Sequence, residues 1–312
     1  MTKFVGFCRI EILDEHKGIT FPMLVMYPTF TPAKPVTFGP FSLDVAIEAP
    51  VEDGSFPLVM ISHGSGGSYL THRTLGANLA KNGFVVCMPE HPFNNRNNNE
   101  WQYTLENLTH RPRHIRLAID QVLSHDKFKN HLASDRVAII GHSVGGYTAL
   151  AVAGGVPHTQ FIVEFCQRSE NQDLLFCTIV RRNELKPQKI AGAADSRIKA
   201  VVLFAPDVSL FMSDGALSNV NVPVLLLVAE KEDTPLETAE IVMNGLPDSS
   251  QLSYRMVENA GHYSFLSPFP ESIKNRLGGA ARDPEGFDRD RFHEELNLEV
   301  LDFLQRALEV DH

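Results

Sequence analysis

Basic charge is scarce in this 312-residue chain: 28 Lys and Arg stand against 38 Asp and Glu, a formal net charge of −10. An acidic surface of that size disfavours nucleic acid or an anionic membrane as a main partner. The basic runs "HRPRHIR" (110–116) and "RR" (181–182) are too short to reverse it. Long apolar runs are missing as well. No segment approaches the roughly 18 unbroken apolar residues of a membrane span. The opening "MTKFVGFCRIEILDE" reaches charged residues too soon for a secretory signal, so a cytoplasmic protein is expected. Cysteine is sparse. Cys8, Cys87, Cys166 and Cys177 lack the CxxC pairing of a zinc site, so no metal is expected, and free thiols are the default in a reducing compartment. Cys166 and Cys177 flank a polar loop and could bridge outside the cytosol. No internal repeat is present, and "NNRNNN" (94–99) is the one low-complexity stretch. Asn107-Leu108-Thr109 fits a glycosylation sequon that has no meaning without secretion.

What the chain does have is a rhythm of short apolar runs separated by helical periodicity. Residues 3–13 and 19–27 alternate in part and predict an antiparallel pair at a sheet edge. The Pro-, Thr- and Gly-rich segment 28–55 reads as loop with room for one short strand. The runs at 56–64, 84–90, 136–143, 198–206, 222–230 and 252–258 read as strands, most of them buried. Helices are expected around Leu75–Ala80, Ile115–Leu123, 144–154, 235–246 and Phe292–Leu308. Such alternation implies an α/β fold, a mostly parallel central sheet covered by helices on both faces, whose ligands sit beyond the C-terminal strand ends. A single domain spanning 1–312 is expected. The interval 156–195 is too long for an ordinary crossover and predicts a cap or insertion beside the site.

Every chemistry-bearing motif falls at one of those strand ends. "GHSVGG" places Ser143 in G-x-S-x-G between a strand and a helix, where glycines relieve crowding and the helix N-terminus aims amides at an oxyanion. A P-loop is excluded because no Lys-Ser/Thr follows, and the dinucleotide spacing G-x-G-x-x-G is absent. Among 13 histidines, His262 in "ENAGHYSFL" lies past the last strand, in the chain order Ser, acid, His. The acid is left open between Glu232 and Asp233, after "VPVLLLVAE", with Asp207 in "LFAPD" as a third candidate. "ISHGSGG" (61–67) supplies the other half of an oxyanion hole, so the Ser65 and Val144 amides are the expected donors.

These stretches, with "MLVMYPT" (23–29), "LAKNGFVVCMPEHP" (79–92) and "FCQRSENQDLLFC" (165–177), resemble the α/β-hydrolases. More narrowly they resemble the dienelactone-hydrolase-related, platelet-activating-factor-acetylhydrolase-like serine esterases. Dienelactone hydrolases proper use Cys where this chain has Ser143, and the acetylhydrolases take their acid from the earlier strand, which keeps Asp207 in play. The resemblance implies an α/β-hydrolase fold and ester hydrolysis without a cofactor, on a small-molecule ester, by Ser143, His262 and an acid at 232 or 233. An amidase or peptidase with the same triad, and a binding protein that keeps the fold without turnover, are the rivals. Tyr69, the 93–103 loop, Tyr263, Phe265 and part of 156–195 are expected to border the site, and Arg96 could face a substrate carboxylate. Oligomeric state is left open, a homo-oligomer included.

Overall fold

A computed structural model describes residues 3–171, 174–232 and 238–310. Strands β1 (Phe4–Asp14), β2 (Ile19–Thr29), β3 (Lys34–Phe38), β4 (Phe41–Ile47) and β5 (Phe56–Ser62) precede helix α1 (Arg73–Lys81). Then come β6 (Val85–Pro89), α2 (Leu105–Ser124), β7 (Leu132–His142) and α3 (Val144–Val152). Two short helices, α4 (Gln160–Gln167) and α5 (Leu175–Arg182), occupy the interval expected to be an insertion. β8 (Ile198–Phe204), β9 (Val224–Lys231), α6 (Thr238–Gly245), β10 (Leu252–Gly261), α7 (Glu271–Lys274) and α8 (Arg289–Ala307) complete the described order.

The strands form one sheet in the order β10-β9-β8-β7-β5-β6-β2-β1-β4-β3. Pairing is parallel from β10 through β6, and antiparallel where β2 meets β6 and β1. Period-two alternation splits the strand side chains between two cores. Val137 and Ile139 of β7 join Leu58, Met60 and Leu203 beneath α2 and α3, whereas Ala138 and Ile140 join Val59, Ile61 and Val202 beneath α1 and α8. The central strands are buried on both faces, which explains why they read as unbroken apolar runs.

Two expectations need correction. β1 and β2 do not end the sheet. Segment 28–55, read as loop, folds into the β3–β4 hairpin, whose second strand runs parallel to β1 at Gly6–Ala46 and Phe7–Ile47. Its signal was masked by Pro35 and the Gly39-Pro40 turn, where Gly39 adopts φ +58°, and Phe38 stacks on Phe7 at 4.4 Å. The second is the start of α2, which begins ten residues before the expected Ile115, at Leu105, behind the N-cap Thr104. Pro112 hides it. Proline has no N–H for the carbonyl four residues earlier. That carbonyl, on Leu108, accepts a hydrogen bond instead from the fully buried Tyr147 hydroxyl on α3, at 2.6 Å.

Cys166 and Cys177 are joined in a disulfide between α4 and α5, the bridged alternative to free thiols, while Cys8 and Cys87 remain free and buried. Asn107 is buried, so its sequon is inaccessible to a glycan.

Tyr147→Phe keeps the ring and strands the Leu108 carbonyl. A loss of about 1–3 kcal/mol in unfolding free energy is expected, measured by urea denaturation; an unchanged midpoint would show that the carbonyl finds another partner.

Candidate active site

The turn from β7 into α3 is shaped by absence of side chains. A Cβ on Gly141 would lie 2.1 Å from the Gly145 carbonyl oxygen, one on Gly145 2.0 Å from that of Ser62, and one on Gly146 2.3 Å from Pro206 Cβ. The packing tolerates none of them. Ser143, at the apex, adopts φ +55° and ψ −124°, a region where an L residue is strained. Its backbone is tied on both sides: its N–H donates to Phe204 O at the end of β8, and its carbonyl accepts from Gly146 and Asp207 N–H. Among the described residues its hydroxyl has no hydrogen-bond partner, and Ser143 lines a cleft.

His262 follows β10 directly. Its Nδ1 meets both carboxylate oxygens of Glu232, at 2.9 and 3.0 Å, and Glu232 lies just past the end of β9. Such a pair leaves Nε2 as the ring's free nitrogen. His142, which precedes Ser143 in the chain, has its ring 4.9 Å from that of His262, and its Nε2–H donates to the His262 carbonyl at 2.9 Å. Asp233 lies outside the described residues. Asp207 is engaged elsewhere, its Oδ1 accepting from Ser209 N–H and Oγ–H.

Ser65 and Val144, the expected amide donors, line one cleft with Ser143. Val144 opens α3, where no intrahelical acceptor exists for its N–H. Among the described residues neither amide has a partner. The close approach of their segments is enforced at Gly64, where a Cβ would lie 3.3 Å from Ser143 Cβ.

The cleft has an apolar wall of Leu108, Ile162, Leu185 and Leu210, and polar groups from Gln102, Asn107 and Asp207. Tyr103, within the expected 93–103 loop, lines it too. Phe265 does not: it is fully buried and stacks on Phe204 at 5.4 Å. Tyr263 stands edge-on to the His262 ring at 5.1 Å. Arg96 has an exposed side chain and a backbone N–H bonded to Gly67 O, so it docks a loop and does not line the cleft.

The sequence reading missed a second layer of polar residues. "NNRNNN" is an ordered loop of side-chain-to-backbone bonds: Asn95 Oδ1 accepts from Asn97 and Asn98 N–H, and Asn98 Oδ1 from Glu100 N–H. Asn94 donates to Ser65 Oγ at 2.9 Å and to Asn99 Oδ1 at 2.6 Å. "HRPRHIR" is partly interior, with Arg111 fully buried and His110 and His114 nearly so. The asparagines carry a turn signal; nothing in the pattern marks Arg111 as interior.

Burial keeps the surrounding imidazoles neutral. Desolvation holds His63, His72 and His114 down to about 3 and His293 to about 4, and His142 and His91 well below the ordinary value. The bonds agree with a neutral ring: His63 Nδ1–H donates to Gly64 O, and its Nε2 accepts from His91 N–H. No group of side chains suited to holding a metal ion occurs among the described residues.

The whole-chain topology has a counterpart. A ferulic acid esterase from Streptomyces cinnamoneus superposes with a TM-score of 0.67 at 18% identity, over 98% of this chain and 91% of that one. The chain has the α/β-hydrolase fold. A family model, Chlorophyllase, matches residues 32–166, which is less than half of this α/β-hydrolase chain. The matched part contains the Ser65 loop and Ser143 but stops short of Glu232 and His262. No curated protein matches. No described helix is long and apolar enough to cross a membrane.

The buried histidines set an acid limit on stability. Their folded values lie below the roughly 6.5 of an unfolded histidine, so below that pH the unfolded chain binds more protons and stability is lost as pH falls. Each ring contributes at most about 1.4 kcal/mol per pH unit. Denaturant midpoints should therefore drop steeply between pH 7 and pH 5; equal midpoints would mean the rings protonate without unfolding.

Proposed function

We propose that this protein is a serine esterase that cleaves small carboxylic esters through an acyl-enzyme. The observation that carries the reading is the Glu232 carboxylate set squarely on His262 Nδ1, at the rim where the strained Ser143 turn presents its hydroxyl. Glu232 holds the imidazole in the tautomer whose Nε2 can accept a proton, and steadies the imidazolium once it forms.

In this mechanism the imidazole closes onto Ser143 as substrate seats, a tightening common when free sites bind. Oγ attacks the carbonyl carbon while its proton passes to His262 Nε2. The oxygen becomes an anion held by the Ser65 and Val144 amides. The ester C–O bond then breaks as Nε2 returns the proton to the leaving alcohol. Water repeats the sequence on the acyl-enzyme and releases the carboxylic acid. No step calls for a metal or organic cofactor.

The neighbour's name, ferulic acid esterase, supports aryl esters as the substrate class, and the apolar wall of Ile162, Leu185 and Leu210 supports short acyl chains equally. The α4–α5 segment acts as the cap that supplies part of that wall. The Cys166–Cys177 bond favours an oxidising compartment over the cytoplasmic placement expected from the opening residues.

A fluorophosphonate probe should label Ser143 in the folded protein. With p-nitrophenyl esters, Ser143→Ala should lower kcat by about 10⁴–10⁶-fold; a folded variant with near-normal rates overturns the reading. The same assay over acyl lengths, with matched anilides, should favour short or aryl esters, and an anilide preference would make the protein an amidase.

Glu232→Gln should cost kcat about 10³–10⁴-fold, with Asp207→Asn costing far less. Equal losses would remove Glu232 from the orienting role.

A further inference from the structure

Arg111 is the largest fully buried side chain among the described residues, and its hydrogen bonds there all go to neutral acceptors. A buried unpaired cation is costly, and an apolar side chain of the same size is often the more stable occupant. Desolvation pulls the guanidinium down to about 9, which leaves it protonated at neutral pH. Its worth must lie in what it joins.

Its donors reach three segments. Nη2 donates to Ser62 Oγ at 3.1 Å and to the His63 carbonyl, one peptide short of the Gly64-Ser65 turn. Nη1 donates to Asn94 Oδ1 at 2.6 Å, and Asn94 in turn donates to Ser65 Oγ. Nε donates to Thr148 Oγ1 at 3.0 Å, and that hydroxyl donates to the Val144 carbonyl in the first turn of α3. One planar fork thus grips both the segment that carries the Ser65 amide and the helix that carries the Val144 amide. Two amides on separate segments must be held to within about 0.5 Å to share one oxygen. A rigid guanidinium with five fixed donors can do this where a flexible ammonium cannot.

We infer that Arg111 is the positioning residue of the oxyanion hole, locking the Ser65 and Val144 segments in register and placing a buried positive charge behind the two amides. The inference rests on the esterase reading, since it needs an oxyanion at that point. Charge in a water-poor interior acts over a longer reach than in solvent, so the cation favours the tetrahedral anion over the neutral ester. Its effect therefore falls on kcat and not on substrate binding.

The test uses full-length Arg111→Lys, Arg111→Met, Thr148→Val and Asn94→Ala, with Ile119→Ala on the same helix as a destabilised control. Readouts are kcat, KM and inhibition by phenylboronic acid, whose serine adduct mimics the tetrahedral anion. Arg111→Met should lose about 10²-fold in kcat with KM within about threefold, and boronate affinity should fall in parallel. Arg111→Lys should fall between it and wild type. Should Arg111→Met not fold, Thr148→Val and Asn94→Ala each cut one arm, and each should lower kcat and boronate affinity together by about tenfold. Wild-type kcat and boronate affinity in folded Arg111→Met, or in both single-arm variants, overturns the inference. So does an equal loss in Ile119→Ala, which would make the effect one of stability. Failure of the probe to label wild-type Ser143 instead refutes the esterase reading itself.

Discussion

The backbone of Ser143 is held where it would not rest on its own, and the rest of the site is arranged around that fact. A positive φ at a residue with a side chain persists only when the surroundings allow no relaxation. Here Phe204 and Asp207 fix its N–H and carbonyl to the end of β8, and the carbonyls of Ser62 and Gly145 close off the space a side chain would need. The strain therefore belongs to the sheet as a whole: β5, β7 and β8 must lie in parallel register for the turn to exist. In exchange the hydroxyl stands clear of the sheet and the following helix offers its first amides beside it.

Around this turn the interior is polar yet almost uncharged. Burial forces His63, His72, His91, His114 and His142 to be neutral, and a neutral imidazole has one donor and one acceptor to place. His142 places its donor on the His262 carbonyl, coupling the residue beside the serine to the loop that bears the opposite imidazole. Arg111 keeps its charge within this layer, as the buried Arg73 does beside His72. Charged and polar groups near the serine then include the Glu232 carboxylate on His262, the Asp207 carboxylate in the same cleft, and the N-terminus of α3.

Much of this was legible in sequence because it depends on short-range crowding. The glycines around Ser143 and His262 after the last strand announce themselves by type and order. Glu232 and Asp233 could not be separated in sequence, since both follow the same apolar run and either carboxylate suits the role; Glu232 meets His262 Nδ1, and Asp233 lies outside the described residues. The hairpin at 34–47 was hidden by Pro35 and Pro40, and the first turns of α2 by Pro112. In both cases the proline's missing donor is harmless for a reason lying far along the chain, an edge position in one and Tyr147 in the other. Arg111 was hidden more thoroughly. A basic cluster in an acidic protein reads as solvated surface, and its acceptors come from positions 62, 63, 94 and 148.

The two sides of the cleft owe their rigidity to different physics. The floor is built from strand ends and inherits the sheet's stiffness. The apolar wall comes partly from α4, eight residues long, which is too short to be stable alone and lies outside the sheet. Ile162 faces the cleft, and Cys166, one turn later on the same helix, is bonded to Cys177 of α5. Leu185, just beyond α5, returns to line the cleft as well. The wall is thus a short covalent loop pressed against the core through Ile162, Val163 and Val180. Shape can change there by substitution without disturbing β7, β8 or the serine turn, whereas no comparable freedom exists on the floor. In the proposed esterase, selectivity among esters and the chemistry of cleavage therefore fall to separable parts of the molecule.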